Sequence, residues 1–272
     1  MLTQQQGRVS IEEGVVFGQG GERDLQCDVF QPPEPGTRRP AVLLLHGGGW
    51  QQGDRTQLKG YGIALARLGF VCVASEYRLS GEASWPAQIH DCKAALRWMR
   101  ANAEQLGIDV ASISVSGNSA GAHLALMLGA TPNDERFEGE GGHAGVGTEC
   151  KSIISIYAPT LLGTADSILP DAIEKLFGGA ATAEALAEAS PINYVAKGFP
   201  PTLLLHGAKD VIVPPAASVT MYDALESVGV DAELHIFANA PHAFDAEPGF
   251  GRQCTGLMAL FLERYGLLGT QA

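Results

Sequence analysis

The sequence is short of basic residues. Among its 272 residues, 18 are Lys or Arg and 30 are Asp or Glu, which gives a formal net charge of −12. Proteins that bind nucleic acids rely on clusters of Lys and Arg to neutralise phosphates, and this sequence has none. The composition therefore argues against a nucleic-acid partner. A small anionic substrate stays open, because a local site can differ in charge from the whole surface.

Cysteine pairs, metal-ligand spacings and long apolar runs are missing as well. The five cysteines form no CxxC pair, and their odd number favours free thiols. No HExxH or similar spacing is present, so we predict neither a metal site nor a cofactor. The apolar runs stay well below the roughly 18 residues of a membrane span, and segment 1–8 lacks the pattern of a secretion signal. We expect no membrane contact and a cytoplasmic protein, although a chain whose signal had been removed would look the same.

Glycine and hydrophobic residues, by contrast, are abundant. The 34 glycines and 46% hydrophobic residues are typical of a globular enzyme with many tight turns, and the length favours one catalytic domain over residues 1–272. Apolar β-rich runs alternate with helical patterns from about residue 40, which predicts an α/β fold whose mostly parallel sheet carries helices on both faces. Two short helical patterns within 160–198 predict a small cap at most. The eight strands are expected at 9–17, 25–30, 41–46, 71–76, 113–116, 153–157, 202–207 and 232–237.

A short glycine-flanked motif gives the strongest functional signal. Residues 117–121 read Gly-Asn-Ser-Ala-Gly and lie between an apolar strand and a helix. In this context G-x-S-x-G forms a strained turn that exposes the serine, so the residues two before and two after it must be small. The helix N-terminus also favours developing negative charge. We predict Ser119 as a nucleophile; the alternative is a capping serine in an ordinary turn.

A run of three glycines within residues 46–50, here called the glycine loop, follows the first central strand. Residues 46–50 read His-Gly-Gly-Gly-Trp, and such glycines let the backbone approach a ligand and direct N–H groups at it. We expect the N–H groups of Gly48, Gly49 and Ala120 to form an oxyanion hole. A phosphate-binding loop is the competing interpretation, but no Lys followed by Ser or Thr comes after the glycines.

A serine nucleophile needs a general base and an acid that orients it. Of the seven histidines, His242 follows the last predicted strand and precedes the last helix, where the order Ser, acid, His places the base. Asp210 follows the penultimate strand and is the predicted acid. Asp245 is the rival, but so close to His242 in sequence it is expected at the surface or at the start of the following helix.

The two motifs resemble those of the hormone-sensitive-lipase-related esterases. HGGGW and GNSAGAHLA are most similar to the short carbohydrate-deacetylating and feruloyl forms, and the resemblance extends over nearly the whole chain. It implies an α/β-hydrolase fold, a Ser-His-Asp triad and a His46 that braces the glycine loop. Asn118 stands where Asp or Gly is common in these esterases, and Ala122 replaces a frequent glycine, so the subfamily stays open.

The resulting hypothesis is hydrolysis of a carboxylic ester through an acyl-enzyme, without a cofactor. Without a long N-terminal cap, the site is expected to take short acyl chains and bulky or sugar-linked alcohols, acetylated or feruloylated carbohydrates among them. An amidase or peptidase of the arylformamidase type would use the same triad, and a non-catalytic binding protein can keep the same fold. A homodimer also stays open. The residues expected to contact substrate are Trp50, Trp85, Asn118, Tyr157, Val211 and Phe244.

Overall fold

The computed structural model describes residues 2, 4–34, 36–163 and 170–267. Within these ranges eight strands form one sheet, which confirms the predicted architecture. The strands are β1 (Ser10–Gly20), β2 (Arg23–Gln31), β3 (Arg39–Leu45), β4 (Val71–Ser75), β5 (Ile108–Asn118), β6 (Ile153–Ile156), β7 (Thr202–Gly207) and β8 (Ala232–Phe237).

Helices connect these strands close to the predicted positions. The α-helices are α1 (Lys59–Ala66), α2 (Ala87–Ala101), α3 (Ala103–Leu106), α4 (Ala120–Ala130), α5 (Glu135–Glu138), α6 (Pro170–Phe177), α7 (Ala183–Glu188), α8 (Ala216–Ser227) and α9 (Pro248–Phe261). Shorter turns of 3₁₀-helix lie at Arg55–Leu58, Pro191–Tyr194 and Phe244–Ala246, and a π-helical turn lies at Leu262–Leu267. The predicted first crossover helix, 57–68, is thus a 3₁₀ turn followed by a shorter α-helix.

The sheet is parallel except at its N-terminal edge. Its strand order is β1-β2-β4-β3-β5-β6-β7-β8, and only the β1–β2 and β2–β4 pairs are antiparallel. The chain runs from β3 outward to β4 and then crosses back to β5 on the other side of β3. Ligand sites in such sheets lie at the carboxyl ends of the strands where the order reverses. This places the loops after β3 and β5 side by side.

Both faces of the central strands are covered. Leu43 and Leu45 of β3 pack on the face covered by α2, α4 and α8, whereas Val42 and Leu44 pack on the face covered by α1 and α9. Because successive side chains of a strand point to opposite faces, a strand buried on both sides must be apolar throughout. Burial of each such side chain stabilises the folded state by about 1.5–3 kcal/mol relative to leaving it exposed. The rigid core fixes the strand ends from which the functional loops project.

The loop predicted over residues 131–150 is more structured than the sequence suggested. It contains α5 and is pinned to α2 by a fully buried ammonium group, because Lys93 Nζ lies 2.6 Å from Glu138 Oε1. Arg97 Nη1 lies 2.8 Å from the other oxygen of Glu138. A buried charge is stable only when it is paired, so these contacts fix the loop in one place.

The predicted cap region, 160–198, lies partly outside the described residues, at 164–169. Helices α6 and α7 occupy its described part, and Lys175 of α6 donates a hydrogen bond of 3.0 Å to Gln51 beside the glycine loop. Whether the chain forms one domain over 1–272 stays a prediction. Within the described ranges, none of the helices is long and apolar enough to cross a membrane.

Candidate active site

Ser119 occupies a strained turn between β5 and α4. Its backbone has φ 52° and ψ −119°, a conformation that a non-glycine residue adopts only when the surroundings impose it. A Cβ added at Gly121 would lie 2.1 Å from the Leu45 carbonyl oxygen, and one at Gly117 would lie 2.3 Å from backbone atoms of Gly121. The small flanking residues of the motif therefore have a steric cause, and the turn presents the Ser119 hydroxyl at the start of α4.

The three residues predicted as a triad form a chain of two hydrogen bonds, with His242 in the middle. Ser119 Oγ is 3.0 Å from His242 Nε2, and His242 Nδ1 is 2.6 Å from Asp210 Oδ2. Since a carboxylate only accepts hydrogen bonds, Nδ1 carries the proton and Nε2 is left to accept the one on the serine hydroxyl. Asp210 follows β7 and His242 follows β8, so the predicted acid and base lie after two neighbouring strand ends.

The Asp210 carboxylate is held in its ionised form. One oxygen accepts backbone N–H groups of Ile212 at 2.9 Å and Val213 at 2.8 Å, and the other lies 3.3 Å from His206 Nε2. Burial by itself would raise the pKa of this carboxyl. The hydrogen bonds from His206, His242 and the Val213 N–H outweigh burial and hold the pKa well below its usual range. A fixed negative charge therefore faces His242.

The glycine loop lies directly against the Ser119 turn. A Cβ added at Gly47 would be 3.3 Å from Ser119 Cβ, and one at Gly48, where φ is +119°, would be 2.0 Å from the Gln52 carbonyl oxygen. Only glycine fits there. Within the described part of the chain, the N–H groups of Gly48, Gly49 and Ala120 make no hydrogen bond to protein. The loop thus brings the N–H groups of Gly48 and Gly49 close to Ser119, and the start of α4 adds that of Ala120.

His46 braces this loop as the family resemblance implies. Its Nδ1 lies 2.8 Å from the Gly47 carbonyl oxygen, and its ring stacks on Tyr77 with centroids 4.3 Å apart. The Tyr77 hydroxyl donates to the His46 carbonyl oxygen at 2.9 Å. Burial lowers the pKa of His46, so the imidazole is neutral and acts as a fixed hydrogen-bonding group.

The six residues expected to contact substrate divide sharply by exposure. Three aromatic side chains are interior, with exposed fractions of 0% for Trp50, 1% for Tyr157 and 3% for Phe244. Trp50 has φ 59°, and its ring turns inward to meet His123 edge-on at 5.2 Å. These rings support the loops from behind, because their backbone conformations and ring contacts direct them into the core.

The other three expected contacts lie nearer to solvent. Val211 is 69% exposed, and Asn118 is half-buried beside Ser119. Trp85 is half-buried and packs on His123 at 5.7 Å and on Phe137 at 6.1 Å. Burial lowers the pKa of His123 to about 4, and its Nε2 lies 2.7 Å from the Ala189 carbonyl oxygen. Trp85 thus belongs to a packed aromatic cluster with His123 and Phe137.

Asp245 corrects an expectation from the sequence. It was expected at the surface or as a helix cap, but its carboxylate lies between the hydroxyl groups of Tyr61 and Tyr157. The cap of α9 is Glu247, which accepts the Phe250 N–H at 3.1 Å. Sequence reasoning missed this contact because Tyr61 stands far away in the chain, and no local pattern signals a phenol facing a carboxylate.

An open cleft of about 630 Å³, lined by both polar and apolar surface, adjoins the glycine loop. Its walls include an amide from Gln51, a hydroxyl from Ser80, an ammonium from Lys175 and carboxylates from Asp171 and Glu174. The neighbouring Ala172 would lie 3.8 Å from a Cβ added at Gly49. Among the described residues, no group of three His, Cys, Asp or Glu side chains is arranged to hold a metal ion.

Comparison with known proteins shows the family of this chain. The model of the BD-FAE family matches residues 27–225, a segment that holds Ser119 and Asp210 but ends before His242. The chain belongs to the BD-FAE family. Esterase LipQ of Mycobacterium tuberculosis is 32% identical over 241 residues, which are 85% of this chain and 56% of LipQ. This BD-FAE chain therefore spans little more than half the length of that relative.

Solved structures show the same α/β-hydrolase fold. A truncated carbohydrate esterase from gut microbiota aligns with a TM-score of 0.84 at 24% identity, over 95% of this chain and 97% of that one. The thermophilic esterase Est2 of Thermogutta terrifontis aligns with a TM-score of 0.81 at 25% identity, over 98% of this chain and 95% of Est2. Est2 has also been solved with propionate and with butyrate bound. The BD-FAE chain thus has the α/β-hydrolase fold.

Proposed function

We propose that this protein hydrolyses carboxylic esters through a Ser-His-Asp triad. The observation that carries the proposal is the chain of hydrogen bonds from Ser119 Oγ through His242 to Asp210, with contacts of 3.0 Å and 2.6 Å. A serine hydroxyl is a weak nucleophile at neutral pH and reacts only when a base removes its proton. The esterase relatives support the same activity.

In the proposed first half-reaction, Ser119 Oγ attacks the ester carbonyl carbon and its proton passes to His242 Nε2. The negative charge on the carbonyl oxygen is met by the N–H groups of Gly48, Gly49 and Ala120, each worth about 3–4 kcal/mol in comparable sites. Asp210 stabilises the resulting imidazolium without taking its proton. When the tetrahedral intermediate collapses, His242 protonates the leaving alcohol and the acyl group stays on Ser119.

In the second half-reaction, His242 takes a proton from a water molecule, which attacks the acyl carbonyl. The tetrahedral intermediate is again stabilised at the glycine loop, and His242 returns the proton to Ser119 as the acid leaves. Every proton transfer uses groups already in place, so the proposed reaction needs no cofactor.

The proposed substrates have a short acyl group and a bulky, polar alcohol such as a sugar. Propionate and butyrate bound to Est2 support the acyl side. The cleft beside Gly49 supports a polar alcohol group in the substrate. The side chains that line it include Gln51, Asp171 and Lys175, and their amide, carboxylate and ammonium groups match the hydroxyls of a carbohydrate better than the tail of a lipid.

The test measures kcat/KM on p-nitrophenyl esters of increasing acyl length, on acetylated and feruloylated sugars, and on p-nitroanilides. We expect the highest values for acetyl to butyryl esters and little turnover of anilides. Ser119→Ala should lower kcat about 10⁵-fold or more while the fold is kept. Near-normal activity in Ser119→Ala would overturn the triad, a preference for anilides would indicate an amidase, and an inert wild type would indicate a binding protein.

A further inference from the structure

A single phenol connects the loops that carry the nucleophile and the base. Tyr157, directly after β6, accepts a hydrogen bond of 3.2 Å from Asn118 Nδ2 and donates one to the Asp245 carboxylate. Asn118 immediately precedes Ser119, and Asp245 comes shortly after His242. The two loops are therefore joined by a second link besides the Ser119–His242 contact.

The ring of Tyr157 also backs the catalytic imidazole. Its centroid lies 4.6 Å from that of His242 with an interplanar angle of 60°. The ring itself cannot shift easily: φ at Tyr157 is 46°, its N–H donates to Leu205 at 2.8 Å, and the Ser119 N–H donates to Ile156 at 2.8 Å. The backbones of Tyr157 and Ser119 are thus tied to the same strand end, and a fixed ring faces His242.

Asp245 holds the phenol from the other side. One carboxylate oxygen accepts the Tyr157 hydroxyl and the other accepts the Tyr61 hydroxyl at 3.0 Å. Burial, with the nearby Asp245 charge, raises the pKa of both phenols. Both therefore stay protonated and donate, so this network carries hydrogen bonds and does not exchange protons with the triad.

We propose that Tyr157, anchored by Asp245 and Asn118, is a positioning residue that holds the imidazole of His242 at the distance and angle needed to take the Ser119 proton. Neither Tyr157 nor Asp245 reaches the hydroxyl of Ser119, so neither is a catalytic residue. The inference rests on the proposed ester hydrolysis. Because misplacement of a catalytic group slows the chemical step without weakening substrate binding, the role predicts a change in kcat and not in KM.

The matched test compares two Tyr→Phe variants, each of which removes one hydroxyl that donates to the Asp245 carboxylate. Tyr157→Phe removes the hydroxyl that links the loops, and Tyr61→Phe removes a hydroxyl that donates to the same carboxylate and has the Cys254 thiol as its other neighbour. The readouts are kcat and KM on p-nitrophenyl acetate, the rate constant for labelling by a small fluorophosphonate, and the melting temperature. We expect Tyr157→Phe to lower kcat and the labelling rate about tenfold at constant KM, and Tyr61→Phe to keep both within about twofold.

A second pair of variants keeps the test informative if Tyr157→Phe folds poorly. Asp245→Ala should lower kcat about tenfold, whereas Asp245→Asn should recover most of it, because the amide oxygen still accepts the Tyr157 hydroxyl. The downfield proton resonance of His242 Nδ1–H reports its alignment with Asp210 without any substrate. It should broaden in Asp245→Ala and stay sharp in Asp245→Asn.

Three outcomes separate the hypotheses. Equal losses in Tyr157→Phe and Tyr61→Phe, or a change in KM alone, would overturn the positioning role while leaving ester hydrolysis standing. A wild type that neither hydrolyses esters nor reacts with the fluorophosphonate would overturn the proposed function instead. An unchanged Nδ1–H resonance in Asp245→Ala would also contradict the positioning role, whether or not the enzyme turns over.

Discussion

Two carboxylates flank His242, and their hydrogen-bond donors differ. The donors to Asp210 are N–H groups, from His242 and the backbone of Ile212 and Val213. His206 Nε2, which donates to the Val213 carbonyl oxygen at 2.8 Å, lies 3.3 Å from the same carboxylate. Asp245 accepts O–H groups from Tyr61 and Tyr157. An imidazole can take up a proton, and a carboxylate that faces it then stabilises the resulting cation. A buried phenol stays neutral, so its contact with a carboxylate is only a hydrogen bond.

The comparison shows why nearness in the sequence is a poor guide to role. Asp245 lies close to His242 in the chain, yet its carboxylate accepts hydrogen bonds from Tyr61 and Tyr157. The carboxylate that contacts the imidazole is Asp210, which follows another strand. What separates the two is the atom each carboxylate faces.

Asp210→Asn and Asp245→Asn should differ by orders of magnitude. The amide at position 210 presents the wrong partner to His242 Nδ1 and removes the charge, so kcat should fall about 10⁴-fold. The amide at position 245 keeps an acceptor for Tyr157, so kcat should stay within about threefold. Steady-state kinetics on p-nitrophenyl acetate measures both. A larger loss in Asp245→Asn would reverse the assignment of the two carboxylates.

Removal of a single donor from Asp210 should have a smaller effect. His206 Nε2 lies 3.3 Å from Asp210 Oδ2, and its Nδ1 is 2.7 Å from the Ser218 hydroxyl. His206→Asn should lower kcat about tenfold and cost about 1–3 kcal/mol of stability, because Ser218 and the Val213 carbonyl oxygen lose a hydrogen-bond partner and Asp210 loses a neighbouring N–H group. Kinetics and urea denaturation test this together. A stability loss without any kinetic change would show that His206 only packs the core.

Acid should destabilise the wild type more than Asp210→Asn. Because the pKa of Asp210 is lower in the folded than in the unfolded protein, its contribution to the free energy of unfolding is complete above about pH 4. The contribution is lost as the pH falls from there toward the folded pKa. Urea denaturation at about pH 6 and pH 3 should show a steeper decline for the wild type. Parallel declines would remove Asp210 as a source of acid sensitivity.

The smallest effect concerns the N-terminal cap of α9, one of the two places where Asp245 was expected from the sequence. Glu247 accepts the Phe250 N–H at the start of α9, so Glu247→Ala should reduce stability by about 1 kcal/mol and leave kcat unchanged. Thermal denaturation and kinetics check the two halves of this prediction. A kinetic loss comparable to that of Asp245→Ala would mean that the two carboxylates share one role.

The fold and the order of the functional loops could be predicted because their signals are local. Gly117, Ser119 and Gly121 form one contiguous motif, and strand order alone placed Asp210 and His242 after β7 and β8. Apolar runs likewise marked the buried central strands β3, β4, β6 and β7, whereas the edge strands β1 and β8 are mostly half-buried or exposed.

What the sequence could not supply are contacts between distant segments. The link from Tyr61 to Asp245 spans 184 positions, and the link from Tyr157 to Asp245 spans 88. Trp50 was expected to contact substrate, but its positive φ turns the ring into the core, which hydrophobicity alone does not reveal. Such features depend on packing that only the three-dimensional structure contains.

The most direct test of Ser119 as nucleophile is labelling with a fluorophosphonate followed by peptide mapping, alongside ester turnover of the same samples. We expect one adduct, on Ser119, with turnover lost in proportion to labelling and no adduct in Ser119→Ala. Ester hydrolysis that continues after complete labelling, or an adduct on another residue that abolishes turnover, would contradict it.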